Sequence, residues 1–390
     1  MLPRKKILPT SKTVKRNRAI SWFTNIKEAL SGTLTANKRK ADFFLLFLIF
    51  LLTIFGLIMV FDSSIVEANI QFHDKFHYLR FQAAYFIIGW IGLLIISRID
   101  YHVYKKFIFY FFVANILFLI IILIPGVGLQ IKGARRWFDL GPTTYQPSET
   151  FKIILVLYLS LWLEKKRTLG QFFALTGFIL GLVVLEPDLG TTIVLMATAF
   201  IMYYVSGAPI VKFASAIAVA SILGLLLIFT SPYRRDRFST FLNPHSDPLG
   251  SSYHVQQILL SLGSGGFTGL GIGQSKQKYQ YLPEATTDSI FAIIGEEVGF
   301  IGSVVFISAF MAIIWKGFQI AQRASDTYGR LIATGITTWL ASQTFINLAS
   351  MVSLVPLTGV PLPFISYGGS SLIVCLWSIG ILLNISKQID

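Results

Sequence analysis

Residues 189–211 read LGTTIVLMATAFIMYYVSGAPIV, and residues 213–233 read FASAIAVASILGLLLIFTSPY. Neither stretch contains an Asp, Glu, Lys or Arg, and neither does 168–185. At 1.5 Å per residue such runs can cross a hydrocarbon core of about 30 Å as helices. Working outward, apolar runs recur near 41–61, 80–97, 107–124, 150–163, 170–185, 189–206, 211–230, 289–315, 329–350 and 366–385. The expected fold class is an all-α polytopic membrane protein with about ten transmembrane helices and a large extracytoplasmic loop between the seventh and eighth.

Composition agrees with that class. The 390 residues are 54% hydrophobic and only 13% charged, with a mean hydropathy of +0.66, against about 25% charged in soluble domains. A single cysteine, Cys375, excludes a disulfide within the chain and any cysteine-based metal site. The first 40 residues hold eleven Lys or Arg against one acid, Glu28. Lys105-Lys106, Lys165-Lys166-Arg167, and Lys316, Arg323 and Arg330 mark alternate connections. Positive connections stay in the cytoplasm, so both termini are expected there and the polar stretch 231–288 outside. The organisation is then a basic cytoplasmic tail, 1–40, a membrane domain, 41–385, containing the outer loop 231–288, and a short cytoplasmic tail, 386–390. A net charge of +14 concentrated in the first tail points to anionic membrane lipids, not to nucleic acid. A short amphipathic piece around Ile20 to Leu30 is expected to lie on that surface.

Several polar residues demand explanation. Glu186 and Asp188 sit in LEPDLGTT, 185–192, with almost no loop between two apolar runs. Asp188 can cap the next helix, whereas Glu186 at the end of an apolar run calls for a partner or a ligand. Arg135, Arg136 and Trp137 either grip an anionic headgroup or anchor the chain at the interface. Ser148 and Glu149 open a helix and suit capping. In NPHSDPLG, 243–250, Asp247 stands between Ser246 and Pro248 with His245 and His254 nearby, and Arg234, Arg235 and Arg237 precede it. Such a carboxylate serves as a general base or merely forms a turn. Six glycines within 263–273 allow close backbone approach or a re-entrant turn, but lack the order of a nucleotide-binding loop. Glu284, Asp288, Glu296 and Glu297 cluster at the entry of the eighth run, where Asp288 can cap, and Glu296 and Glu297 further in imply a polar cavity or a buried partner. The scattered histidines do not form a zinc pattern. The broken segment PLPFISYGGSS, 361–371, is expected to wall the same site.

Taken together, Gly133 to Trp137 with Gln146 to Glu149, Glu186 to Thr191, Asn243 to Gly250, Gly269 to Gly299 and Pro361 to Ser371 resemble the SEDS family of shape, elongation, division and sporulation proteins, the RodA and FtsW group. The resemblance spans about residues 41–385. Ala134 to Trp137 and Tyr281 to Ala285 look more like its division branch than its elongation branch. It implies a peptidoglycan glycosyltransferase of the bacterial cytoplasmic membrane, acting at the division septum. Its substrate would be lipid II and its released product undecaprenyl pyrophosphate. Asp247 matches the family's proposed base, for inverting attack of an acceptor 4-hydroxyl on the donor's anomeric carbon. Arg135, Arg136, Trp137, Glu186, Asp188, His254, Gln256, Ser275, Lys278, Glu284, Ser366, Gly368 and Gly369 fall on motifs expected to bind substrate. Arg80, His245 and Glu296 are weaker candidates. No organic cofactor is implied, and a divalent cation, Mg or Mn, has room beside the leaving pyrophosphate. A class B penicillin-binding transpeptidase and other division proteins are the implied partners. Two departures stand out: Thr286 replaces a common His and Ser289 a common Phe, while Arg80-Phe-Gln82 replaces an Arg-Gln pair. The competing class is a transporter of the lipid-linked precursor, and a noncatalytic scaffold is a third.

Overall fold

The computed structural model describes residues 41–131, 134–141, 143–229, 232–244, 247, 250 and 252–389. The N-terminal tail with its piece around Ile20 to Leu30, Gly133 and His245 lie outside the described residues. The described chain is mostly helical. It runs α1 (Phe43–Phe72), α2 (His77–Ile96), a 3-10 turn (Tyr101–Val103), α3 (Tyr104–Ile122), three short strands β1 (Leu129–Ile131), β2 (Ala134–Asp139) and β3 (Thr144–Tyr145), then α4 (Pro147–Leu163), α5 (Leu169–Leu185), α6 (Leu189–Val205) and α7 (Ile210–Phe229). The polar stretch then contributes α8 (Pro232–Leu242) and α9 (Tyr253–Ser264), before α10 (Ile290–Arg323), α11 (Thr327–Met351) and α12 (Gly369–Ser386).

Among the described residues, five helices are long and apolar enough to cross a membrane: α1, α2, α3 with its preceding turn, α10 and α12. Apolar side chains on their outer faces, such as Phe47, Ile87, Phe109 and Phe111, remain exposed, as lipid-facing surfaces must. Helix α11 is different. It carries Thr, Gln and Asn along its length, is buried on nearly every side, and packs against α4, α6, α10 and α12. That burial lets a polar helix occupy the middle of an apolar bundle, because its side chains find partners in neighbouring elements.

Local signals start and stop these helices. The Asp42 carboxylate accepts from Leu45 N–H at 3.0 Å, Thr168 and Gln171 form a capping box, and Asp326 accepts from Gly329 N–H at 3.0 Å. Helix α1 continues eleven residues beyond the apolar run ending at Phe61, to Phe72. Its added turns bear Asp62, Ser63, Ser64 and Glu67, and the first of these has a cationic partner in Lys278 at 2.8 Å.

The largest departure from a simple helical bundle is inside α10. Gly299 takes φ 69° and ψ −168°, which breaks the helical ladder. The glycine-rich segment supplies the missing bonds. Leu270 and Gly271 N–H donate to the Glu296 and Glu297 carbonyls, both at 3.0 Å, while Phe300 and Ile301 N–H donate to Gly266 at 2.9 Å and Phe267 at 3.1 Å. Gly269 and Gly299 make this pairing sterically possible. A Cβ at Gly269 would stand 2.1 Å from the Glu297 carbonyl oxygen, and one at Gly299 would stand 2.2 Å from Gly269 N. The glycine density therefore reflects close backbone approach inside a re-entrant turn.

Candidate active site

The N-terminal ends of α4 and α12, the entry to α10 and the segment after α11 meet around a cavity of about 300 Å³. Strand β2 forms one wall. Its two arginines part company: Ala134 and Arg136, on one face of the strand, line the cavity together with Trp137, whereas Arg135 is not in the lining and pairs across the strand with Gln130. Arg136 is held from behind. Its Nε donates to the Glu186 carbonyl at 2.8 Å, its Nη2 donates to the Pro187 carbonyl, and its Nη1 lies 3.9 Å from Asp188. Asp188 is itself the cap of α6, accepting from Thr191 N–H at 3.0 Å and Thr191 Oγ1 at 2.9 Å. The connection between α5 and α6 thus orients a guanidinium.

Glu186 is fully buried beside this cradle, and neither carboxyl oxygen has a hydrogen-bond partner among the described residues. Burial pushes its carboxyl up to about 8, with the Asp188 charge adding to the effect and Arg136 opposing it. The protonated form is therefore favoured near neutral pH.

The opposite wall comes from two segments laced together. Tyr367 N–H donates to the Thr286 carbonyl at 2.9 Å, Ser366 Oγ donates to the Thr287 carbonyl at 2.5 Å, and Leu362 N–H donates to Ser366 Oγ at 2.8 Å. Gly368 and Gly369 line the cavity, and Ser366 sits behind them as a brace. Glu284 and Asp288 also line it, joined through the Thr287 hydroxyl at 2.7 and 3.1 Å. Asp288 does not cap α10: the N-cap is Ser289, with no side-chain cap bond. Thr286, the position of the departure toward Thr, is buried and outside the lining, so its side chain does not meet the cavity.

At the floor lies an ion pair inside the bundle. Glu149 lines the cavity and accepts from Lys152 Nζ at 2.6 Å, and the same ammonium donates to Gln343 Oε1 at 3.0 Å. Trp339 Nε1 donates to that oxygen too, at 2.7 Å, while Gln343 Nε2 reaches the Pro361 carbonyl at 2.9 Å. Asn347, one turn further along α11, donates to the Asp288 and Val360 carbonyls, both at 2.8 Å. Helix α11 is thereby the post to which the floor and both segments of that opposite wall are tied. Neither Ser148 nor Glu149 caps α4, contrary to the sequence reading: Ser148 Oγ accepts from Gln146 Nε2 at 3.0 Å and Glu149 is spent on Lys152.

Other expected site residues lie elsewhere. Ser275 and Lys278 are buried under the glycine-rich turn. Ser275 Oγ donates to Glu296 at 2.5 Å and its N–H to Glu297 at 3.1 Å, while Lys278 bridges Asp62 at 2.8 Å and Glu297 at 3.5 Å. These contacts answer the partner question for Glu296 and Glu297, and they hold α1, the turn and α10 together instead of facing the cavity. Arg80 pairs with Asp74 at an exposed rim. Gln82, two residues on, is the side chain that reaches the wall, with Nε2 donating to the Ser366 carbonyl at 3.3 Å.

In the polar segment after α8, Asp247 is exposed, and its carbonyl accepts from Gly250 N–H at 3.2 Å and Ser252 N–H at 3.1 Å. Its side chain is not in the lining of the cavity. Gln256 Nε2 ties this loop to α9 by donating to the Pro244 carbonyl at 3.1 Å. His254 Nε2 lies 2.7 Å from Ser289 Oγ. Sequence reasoning grouped Arg237 with two neighbours. The structure singles it out as a cavity residue, with Nη1 donating to the Leu357 carbonyl at 2.7 Å.

The cavity thus sets two arginines, Arg136 and Arg237, among three carboxylates, Glu149, Glu284 and Asp288. The family model for FtsW, RodA and SpoVE, described as cell cycle protein, matches residues 43–390. The chain belongs to this family. A probable peptidoglycan glycosyltransferase FtsW from Geobacter sp. (strain M18) is 38% identical over 89% of this chain and 97% of its own length. Stage V sporulation protein E of Bacillus subtilis (strain 168) is 39% identical, over 91% and 99%. Among solved structures, a chain of a peptidoglycan synthase complex that coordinates polymerization and crosslinking superposes with a TM-score of 0.75 at 26% identity, covering 89% of this chain and 98% of that one. The rod shape determining protein RodA of Thermus thermophilus gives 0.65 at 26% identity, over 90% and 98%. The FtsW/RodA/SpoVE membership agrees with the motifs that carried the resemblance, and division and sporulation relatives stand at nearly equal identity.

Proposed function

We propose that this protein is a peptidoglycan glycosyltransferase that polymerises lipid II into glycan strands on the outer face of the bacterial cytoplasmic membrane during division. The observation that carries the reading is the cavity itself: Arg136 and Arg237 beside Glu284 and Asp288, placed where helices of an apolar bundle end. Guanidinium groups suit the pyrophosphate of a lipid-linked sugar, and exposed apolar helix faces suit its polyprenyl chain. The remaining long helices are read as further spans, ten in all, with the cavity outside. In the reaction, Asp247 takes the proton of the acceptor 4-hydroxyl as that oxygen attacks the donor's anomeric carbon, with inversion and departure of undecaprenyl pyrophosphate.

Among the described residues no group of three or more His, Cys, Asp or Glu is placed to hold a metal. Magnesium, which is commonly held by one or two carboxylates together with substrate phosphates, nevertheless suits Glu284 and Asp288, where it would neutralise pyrophosphate charge. Partnership with a class B transpeptidase is supported by the likeness to a synthase complex in which polymerization and crosslinking are coordinated.

Purified protein incubated with lipid II tests the activity, with and without that partner. Asp247→Asn keeps the shape of the side chain and removes its basicity, so polymer formation should fall at least about 100-fold while lipid II binding persists. Parental turnover by this variant sinks the assignment of the base. Movement of lipid II between leaflets without any polymer would instead favour a carrier.

A further inference from the structure

Tyr367 stands in the lining of the cavity, on the wall opposite Arg136, and the fold holds it there by backbone and by ring. Its N–H donates to the Thr286 carbonyl at 2.9 Å, which fixes its backbone to the segment that carries Glu284 and Asp288. Its ring meets that of Tyr78, in the first turn of α2, edge to face, with centroids 5.0 Å apart and planes at 86°. Tyr78 is held in turn. Its hydroxyl donates to Glu67 Oε1 at 3.3 Å, and Gln71 Nε2 donates to the same oxygen at 3.1 Å. Glu67 and Gln71 belong to the turns that carry α1 past its apolar run, and neither lines the cavity. On the other side of Tyr367, a Cβ at Gly369 would stand 2.7 Å from the Tyr85 ring, so α2 and the start of α12 are in close contact there.

The hydroxyl at the end of this aromatic column is uncommitted. Among the described residues it has no hydrogen-bond partner, whereas its charged neighbours in the lining are engaged: Arg136 with the carbonyls of Glu186 and Pro187, Arg237 with that of Leu357, Glu149 with Lys152, and Glu284 and Asp288 with Thr287. Burial pushes the phenol up to about 12, with Tyr85 adding to the effect, so it keeps its proton and is available as a donor. Such a donor is strongest toward an anionic oxygen, where a hydrogen bond is about twice as strong as one to a neutral acceptor. We propose, building on the glycosyltransferase reading, that the Tyr367 hydroxyl donates a hydrogen bond to the pyrophosphate of the lipid-linked substrate, and that Tyr78 is the positioning residue that aims it. A ring already fixed before the substrate arrives loses little freedom on binding, and its hydroxyl stays in place as charge gathers on the leaving oxygen. The same column gives the outer turns of α1 a purpose, since they hold Tyr78 from a part of the molecule that does not touch the cavity.

Binding of undecaprenyl pyrophosphate to the purified protein in nanodiscs reads this contact apart from turnover. Tyr367→Phe keeps the ring and its contact with Tyr78 and removes the hydroxyl, so it should weaken that binding at least about tenfold and lower kcat/KM for lipid II by a similar factor. Tyr78→Ala, or Tyr78→Leu if the first does not fold, should reproduce most of the loss, and Tyr78→Phe, which keeps the ring contact, should restore most of it. A residue that acts through the hydroxyl has nothing left to aim once the hydroxyl is gone, so Tyr78→Ala should add little to Tyr367→Phe in the double variant. Unchanged binding of undecaprenyl pyrophosphate by Tyr367→Phe overturns the proposal even where lipid II turnover falls, because the hydroxyl then meets another part of the substrate. Losses that multiply in the double variant overturn the positioning role of Tyr78. Failure of the parental protein to form any polymer from lipid II would sink the glycosyltransferase reading itself, a separable result.

Discussion

Glu186 shows how much a single residue depends on its surroundings. As a fully buried acid raised to about 8, it holds a proton in the folded chain that the unfolded chain has already released. Its contribution to stability is therefore present below the ordinary carboxylate range and is lost as pH rises through about 8. Glu186→Gln mimics the protonated form at every pH. Thermal unfolding in detergent should show the variant gaining on the parent between about pH 5.5 and about pH 9; an equal difference at both values would mean that Glu186 is not held neutral. Sequence made Glu186 conspicuous, because an acid at the end of an apolar run is costly. It was silent on the separation of Arg135 from Arg136: adjacent cations look alike until β2 alternation places one in the cavity and the other outside its lining.

At the scale of elements, the re-entrant turn and the break in α10 form one unit. Gly299→Ala and Gly269→Ala each place a methyl within 2.2 Å of backbone at a positive φ, 69° and 82°. Main chain cannot swing aside as a long side chain can, so each should cost at least about 2 kcal/mol and lower the melting temperature in detergent. Gly263→Ala is the matched control, since nothing lies within 4 Å of its Cβ position. Equal melting temperatures for all three variants would show that the pairing does not hold the break. The glycine density announced close approach. It did not say that the partner was α10, nor that Ser275 and Lys278 would be drawn under the turn as ties to Glu296, Glu297 and Asp62.

At the scale of the whole molecule, charge asymmetry predicts the orientation. With the membrane placed by that asymmetry, a cysteine at Gln274 should react with an impermeant thiol reagent added to intact cells, and one at Lys165 or Arg323 only after the membrane is opened. The native background is low, because the sole cysteine, Cys375, is buried. Labelling of position 274 from the cytoplasmic side would invert the map and put the cavity on the wrong face for the proposed reaction. Far from the cavity, the opposite helix ends are joined by Lys316 to Asp42 at 3.2 Å and by Tyr101 N–H to Asn384 Oδ1 at 3.0 Å. These ties and the α11 post fix both ends of the bundle.

The sequence by itself determined the class and the ingredients. Uncharged runs long enough to span a bilayer admit helices, since hydrocarbon offers no partners to an unpaired backbone, and ordered motifs sufficed to place the chain in its family. It also marked the segments that build the cavity: 134–137, 284–288 and 361–371. Only the tertiary structure decided which members of those segments face the same space. Cavity lining depends on which face of β2 turns inward and on the polar side chains of α11, whose partners lie in other segments. Composition and local pattern decide what a segment can become next to lipid. Which side chain turns inward is settled by packing between segments that meet only in the folded bundle.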